Sequence, residues 1–336
     1  MRPAGSDPER RLIEEVMKLW LKILTSVVAM TLLFALVPWQ EAQRAGSQIS
    51  LVVWGAALCG FMTGHSLGVA KWRMMVNAGR PGLRWLAAAR CYAAGLFANL
   101  CLPSIVGGDV LRAALAGKAS GRPESAVLGG VADRVSDLVV SGLLISVGGL
   151  LVGGALSGWQ AQLVSLSLPI SFGVGLGCLP LVFQRRLSRW PSRYRRLIAR
   201  SLIALRRFWR NPHIALRALL VSFVVQSGFV LLNAWIGRAI GIEVPLAVWF
   251  LTWPLAKVAA LAPISLGGFG VRDATLAALL VPFGVPPALS LVASLIWQSV
   301  MIAGGLLSGL VWWRLSGSDH GGWLKREAFD ARPVED

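Results

Sequence analysis

Charge is scarce in this chain, and negative charge is scarcest. Only 15% of its 336 residues are charged, with 16 acidic against 33 basic side chains. A soluble globular domain carries about a quarter charged residues, so the soluble enzyme classes are excluded first. What takes the place of charge is apolar: 55% of the residues are hydrophobic and the mean hydropathy is +0.64. The charges also cluster, leaving long apolar stretches between them. At about 20 apolar residues per crossing, the length allows roughly six to eight membrane helices.

Cysteine and histidine are equally sparse. Cys59, Cys91, Cys101 and Cys178 lie in apolar segments with no ligand spacing and no paired pattern, so they read as small buried hydrophobes. His65, His213 and His320 are scattered, and no zinc site can be assembled from their spacing. No nucleotide-binding motif is present, and neither a metal nor a cofactor is expected. The net charge of +17 and the pI near 11.3 would suggest nucleic acid in a soluble protein. Here the arginines flank apolar segments, so anionic lipid head groups and membrane topology account for them, and nucleic acid is not an expected partner.

Along the chain, residues 1–16 read as a cytoplasmic leader, 17–313 as the transmembrane domain and 314–336 as a polar tail. The first apolar stretch, 17–37, is not followed by a small-residue cleavage pattern and reads as a retained span. A second span, 50–70, leads to Lys71, Arg73, Arg80, Arg84 and Arg90 with no carboxylate among them, a cytoplasmic loop by the positive-inside rule. The apolar segment 91–105 is short and contains Pro103. Further helical stretches are expected at 124–156 and 163–183. The stretch 185–210 then carries many arginines and no acid; it marks 184–213 as a basic cytoplasmic loop, its later part suited to an interfacial helix. Spans at 214–236, 246–261 and 288–313 follow, with a short apolar piece at 274–283. Two cytoplasmic loops are separated by an even number of crossings, so 91–105 either enters and leaves on one side or pairs with an extra crossing. Its shortness and Pro103 favour a re-entrant element, whose broken backbone protein or water must cover.

One pattern occurs twice. Pro103-Ser104-Ile105-Val106-Gly107-Gly108-Asp109-Val110-Leu111-Arg112 and Pro263-Ile264-Ser265-Leu266-Gly267-Gly268-Phe269-Gly270-Val271-Arg272 share proline, a glycine pair and arginine at the same spacing. Proline ends the preceding helix, and the glycine pair Gly107-Gly108 or Gly267-Gly268 permits close approach. The next helix starts with unsatisfied N–H groups and a positive dipole end, and Arg112 or Arg272 adds a planar charged fork suited to phosphate. Interrupted apolar segments at corresponding places in two halves point to a transporter's central site. The expectation is a single cavity in which both arginines cradle an anion. The plainer alternative is that the glycines give flexibility and the arginines mark topology.

Other polar positions stand inside apolar stretches. Lys257 lies within 249–261, where an ionisable group costs at least about 2.5 kcal/mol unless paired or hydrated. Asp133 and Asp137, four apart on one helix face beside Arg134, suit pairing with Arg112, Arg134 or another arginine better than magnesium. Asn99 is placed to cap broken backbone.

These residues resemble a known family. Asn99 with Pro103, then Gly107-Gly108-Asp109 and Arg112, is similar to the N-x-x-x-P…GGD-x-x-R block of the flippase-like family, also called the lysylphosphatidylglycerol synthase transmembrane region. Asp133-Arg134 with Asp137 resembles its D-R-x-x-D element. Residues 263–273 resemble its P-x-S-x-G-G-x-G-x-R-E block, with Asp273 where glutamate is usual. The resemblance covers roughly residues 17–313 and implies about eight helices and lipid flipping or handling. The family's two-part members carry a separate aminoacyl-transfer domain; here only a short tail follows Trp313, so that activity is not expected.

The leading expectation is an all-α, polytopic protein of the bacterial inner membrane, its N-terminus cytoplasmic and its two halves a pseudo-repeat. It would translocate an anionic phospholipid or polyprenyl-phosphate-linked lipid, with Arg112 and Arg272 as head-group ligands and Lys257 balancing charge. The alternatives are a membrane-embedded enzyme acting on a lipid phosphate, for which Asp133 and Asp137 are the sole candidates, and a subunit serving partner proteins of an envelope glycolipid pathway.

Overall fold

In the computed structural model the described residues are 49–78, 82–101, 107–153, 212–261 and 270–317, with positions 40, 44 and 47. The expected leader, the spans at 17–37 and 163–183, the bulk of the basic loop 184–213 and the tail beyond 317 lie outside them, as do Gly267 and Gly268. Among the described residues the fold is entirely helical. The elements are α1 (Leu51–Val76), α2 (Trp85–Cys101), α3 (Gly107–Ser120), α4 (Pro123–Val152), α5 (Pro212–Ala239), α6 (Leu246–Ala259), α7 (Val271–Leu280) and α8 (Pro287–Gly317), with a 3-10 turn at Val281–Phe283. Of these, α1, α4, α5 and α8 are long and apolar enough to cross a bilayer, and the other four are shorter.

Local chemistry sets these bounds. The Ser50 hydroxyl accepts the N–H of Val53 and caps α1, the usual device for an orphan first-turn donor. Pro123 and Pro287 open α4 and α8, where a missing N–H costs nothing. At α7, Gly270 takes a left-handed φ of 79° and Asp273 accepts its N–H. Asn77 closes the turn after α1, its amide oxygen receiving the N–H groups of Gly82 and Leu83.

The order long, short, short, long occurs twice, as α1–α4 and α5–α8. The packing follows the same exchange: α1 lies on α5, α2 of the first half lies on α8 of the second, and α6 of the second lies on α4 of the first. Direction along α1 and α5 is read from side chains. Gly60 meets Leu232, Gly64 meets Phe229 and Lys71 meets Ser222, so rising numbers on one helix meet falling numbers on the other. Equivalent helices that pack antiparallel make the two halves an inverted pair, related by a pseudo-two-fold axis across the helices. Such repeats place a site at their interface.

Two expectations need correction here. Helix α1 runs on to Val76, so Lys71 is part of it and is 3% exposed instead of belonging to a cytoplasmic loop. Helix α2 begins at Trp85 and is 17 residues long, taking Arg90 into the helix. The cysteines divide: Cys91 is buried, whereas Cys59 and Cys101 are exposed, which on these helices means facing outward.

Candidate functional site

The α2–α3 hairpin is built on glycine. Gly95 and Gly108 pack backbone to backbone, and a Cβ on Gly108 would collide with the Gly95 carbonyl and the Asn99 side chain. The amide oxygen of Asn99 also accepts the N–H of Gly108 at 3.1 Å, serving one of the orphan donors at the start of α3. Helix α3 is thereby held against α2 with Asp109 and Arg112 in its first turns directed at α4.

There they join a chain of charges. The Arg112 guanidinium reaches Asp133 Oδ2 at 3.1 Å and Asp109 Oδ1 at 3.2 Å, and its carbon lies 4.7 Å from the ring centre of Trp72 and 4.8 Å from that of Tyr92. Arg134 binds Asp109 through Nε at 2.6 Å. On the other side, Lys71 Nζ donates to Asp137 Oδ1 at 2.6 Å and to Ser222 Oγ at 2.8 Å, and stands 3.0 Å from Asp133 Oδ1. Both carboxylates of α4 are therefore neutralised by cations from α1 and α3, an arrangement buried charge requires.

The charged groups of this chain line one cavity of about 90 Å³, whose wall also includes His65, Tyr92, Asn99, Gln226 and Lys257. Lys257 donates to Gln226 Oε1 at 2.7 Å, and His65 Nδ1 lies 3.2 Å from the Tyr92 hydroxyl. The cavity wall thus carries four cations, Lys71, Arg112, Arg134 and Lys257, against three carboxylates, Asp109, Asp133 and Asp137. Among the described residues Lys257 forms no ion pair, and Arg112 Nε is buried without a hydrogen-bond partner. One positive charge is in excess, and it belongs to Lys257.

Arg272 does not line this cavity. Its guanidinium binds Asp273 Oδ1 at 3.1 Å, approaches Met301 Sδ at 3.2 Å and Gln298 Oε1 at 3.4 Å, and lies over Trp253 at 5.7 Å. Asp273 is fully engaged, receiving Arg272, the Gly270 N–H and the Ser294 hydroxyl. A chain of edge-to-face rings runs from this cluster to the cavity: Trp253 to Trp297 at 5.6 Å, Trp297 to Phe61 at 5.8 Å, Phe61 to His65 at 4.3 Å. The expectation of one cradle shared by both arginines is therefore corrected. The reason lies in α4 and α8. Counted from their opening prolines, Asp133, Arg134 and Asp137 of α4 correspond to Trp297, Gln298 and Met301 of α8. The inverted fold is kept in both halves, but the charges survive in one.

The structure brings together Asn99, Gly108, Asp109, Arg112, Asp133, Arg134, Asp137 and Lys257, and sets Arg272 and Asp273 apart; Gly107 opens α3 and does not line the cavity. Sequence reasoning missed Lys71, His65, Tyr92, Ser222 and Gln226. For Lys71 a signal existed: Gly64, Gly68, Lys71 and Met75 recur at helical spacing, and all four are buried. That stripe continues the α1 interface past the point where a loop was expected.

The family described as Lysylphosphatidylglycerol synthase TM region matches residues 19–309. No curated protein and no solved structure shows a significant match.

Proposed function

The chain belongs to the lysylphosphatidylglycerol synthase transmembrane-region family, a family of membrane proteins concerned with lipid modification or flipping, and from that premise we propose that it is a translocase for an anionic lipid. The observation that carries this reading is the charge of the central cavity. Three carboxylates and three of its cations offset one another, and Lys257 remains, held by a neutral amide. An uncompensated ammonium at membrane depth is costly, and an entering phosphate lowers that cost. Arg112 Nε supplies a second uncommitted donor, and charge-assisted hydrogen bonds to phosphate are the strong ones. The lipid is an anionic phospholipid or one linked through polyprenyl phosphate, with its acyl chains left outside among the outward-facing apolar side chains.

In this reading the protein sits in a bacterial inner membrane with its N-terminus and the arginine-rich stretch 185–210 in the cytoplasm. Helix α5 then starts on the cytoplasmic side, the α2–α3 hairpin enters from that side, and the α6–α7 hairpin enters from the other. The lipid crosses chemically unchanged, because Asp133 is committed to Lys71 and Arg112 and Asp137 to Lys71, and neither is free to act as a general base. Arg272 has no part in head-group contact; with Asp273 it anchors α7 to α8.

The test is reconstitution. Vesicles containing the protein and a fluorescent phosphatidylglycerol are exposed to a membrane-impermeant quencher. The quenched fraction is expected to rise above the outer-leaflet share seen in empty vesicles, with mass spectrometry recovering the lipid unaltered. Equal quenching with and without protein would refute translocation, and a chemically converted lipid would favour the enzyme alternative.

A further inference from the structure

A second cavity, of about 590 Å³, opens where α5 ends and α6 begins, lined by Leu231, Trp235, Arg238, Glu243, Leu246 and Trp249 among others. It shares no lining residue with the central one, and its volume is within the roughly 300–1,000 Å³ of small-molecule sites. Its construction is graded. Leu231, Trp235 and Arg238 stand at successive turns of one face of α5, a rise of about 10 Å from hydrocarbon depth toward the helix end. Leu231 and Leu246 are each 46% exposed and Trp235 is 41% exposed, so apolar surface faces the bilayer, and a tryptophan near the end of a span is an interfacial anchor.

The polar end holds two charges of opposite sign. Arg238 is in the last turn of α5 and Glu243 is in the turn before α6, both exposed. They line the same cavity without closing an ion pair on each other. Among the described residues neither side chain has another partner. The site is therefore neutral overall but locally dipolar, unlike the central cavity with its excess positive charge. A purely anionic head group would satisfy Arg238 and be repelled by Glu243. A zwitterion with its phosphate nearest the acyl chains and an amine beyond it matches the order Leu231, Trp235, Arg238, Glu243.

We propose that this groove is a binding site for one phospholipid with an amine-bearing zwitterionic head group, its phosphate on Arg238, its ammonium on Glu243 and an acyl chain along Leu231 and Trp235. The proposal depends on the membrane setting and not on translocation, so the two fail separately.

Native mass spectrometry of the full chain tests it, by titration with phosphatidylethanolamine and, separately, phosphatidylglycerol. The native protein is expected to retain phosphatidylethanolamine in the groove. Glu243→Gln should lower that binding about tenfold, as loss of one charge-assisted hydrogen bond predicts, while phosphatidylglycerol, freed from repulsion by the carboxylate, should bind no more weakly than before. Arg238→Gln should weaken phosphatidylethanolamine binding as well. Both side chains are exposed, so the variants should fold, and an unchanged melting temperature verifies this. Phosphatidylethanolamine binding that survives Glu243→Gln, or that is lost with Lys257→Gln instead, would overturn the assignment.

Discussion

Replacing Lys71 with methionine keeps an unbranched side chain, one atom shorter, and removes the charge that joins α1, α4 and α5. The ammonium is 3% exposed and serves Asp137 Oδ1 at 2.6 Å, Ser222 Oγ at 2.8 Å and Asp133 Oδ1 at 3.0 Å. Two magnitudes compete. Neutral polar contacts within membrane proteins average only about 0.6 kcal/mol, because the unfolded chain in the bilayer also finds partners. Breaking a buried ion pair from one side costs about 3–5 kcal/mol, because the remaining charge is left uncompensated. Asp133 retains Arg112 as a partner, but among the described residues the Asp137 carboxylate keeps as a direct partner only the Ser222 hydroxyl, at 2.9 Å. The larger figure therefore applies, reduced toward about 3 kcal/mol. Adding Asp137→Asn to Lys71→Met removes the orphan charge and should recover about 1–2 kcal/mol, within the range of coupling between neighbours. Equilibrium unfolding of the purified protein in mixed micelles measures both. A loss below about 1 kcal/mol for Lys71→Met, or no recovery in the double variant, would refute the claim that this lysine compensates the α4 carboxylates.

Four further outcomes are expected. Gly108→Ala drives a Cβ into the Gly95 carbonyl and the Asn99 side chain and should destabilise the α2–α3 hairpin by about 1–3 kcal/mol or more. Gly130→Ala on α4 meets nothing within 4 Å and should stabilise by about 0.5–1 kcal/mol; melting curves of the two give opposite signs. Asn99→Ala removes the cap on Gly108 and should cost about 1 kcal/mol in the same measurement. Arg272→Gln leaves Asp273 without its cation and should lower the melting temperature without altering the preference between anionic and zwitterionic lipids in vesicle assays of the folded fraction.

Much of the helical layout was legible because apolar length and proline placement are local properties. The long spans follow from uninterrupted apolar runs, and the expected starts at 124 and 288 fall one residue after Pro123 and Pro287, which open α4 and α8. The two Pro…Gly-Gly…Arg segments revealed the repeat, since the same backbone break at the same spacing in two apolar stretches marks equivalent elements. What stayed hidden was pairing across the chain. Lys71 reads as a topology charge until α1 is seen to continue through it, and its partners Asp137 and Ser222 come from two other helices. The separation of Arg272 from Arg112 was also illegible. It depends on the correspondence of α4 with α8, where Trp297, Gln298 and Met301 replace the charged set, and that register appears once the helices are aligned on their prolines. Neutral Ser222 and Gln226 carry no charge signal within an apolar stretch, so only their contacts identify them.

The central claim is that the excess charge on Lys257 selects an anionic head group. Its most direct test compares translocation of fluorescent phosphatidylglycerol and phosphatidylethanolamine in vesicles bearing the native protein or Lys257→Gln. The native protein should move phosphatidylglycerol faster, and the substitution should slow that lipid about tenfold, the factor expected for one charge-assisted hydrogen bond, while leaving phosphatidylethanolamine little changed. A preference for phosphatidylglycerol that persists undiminished in Lys257→Gln would contradict the account.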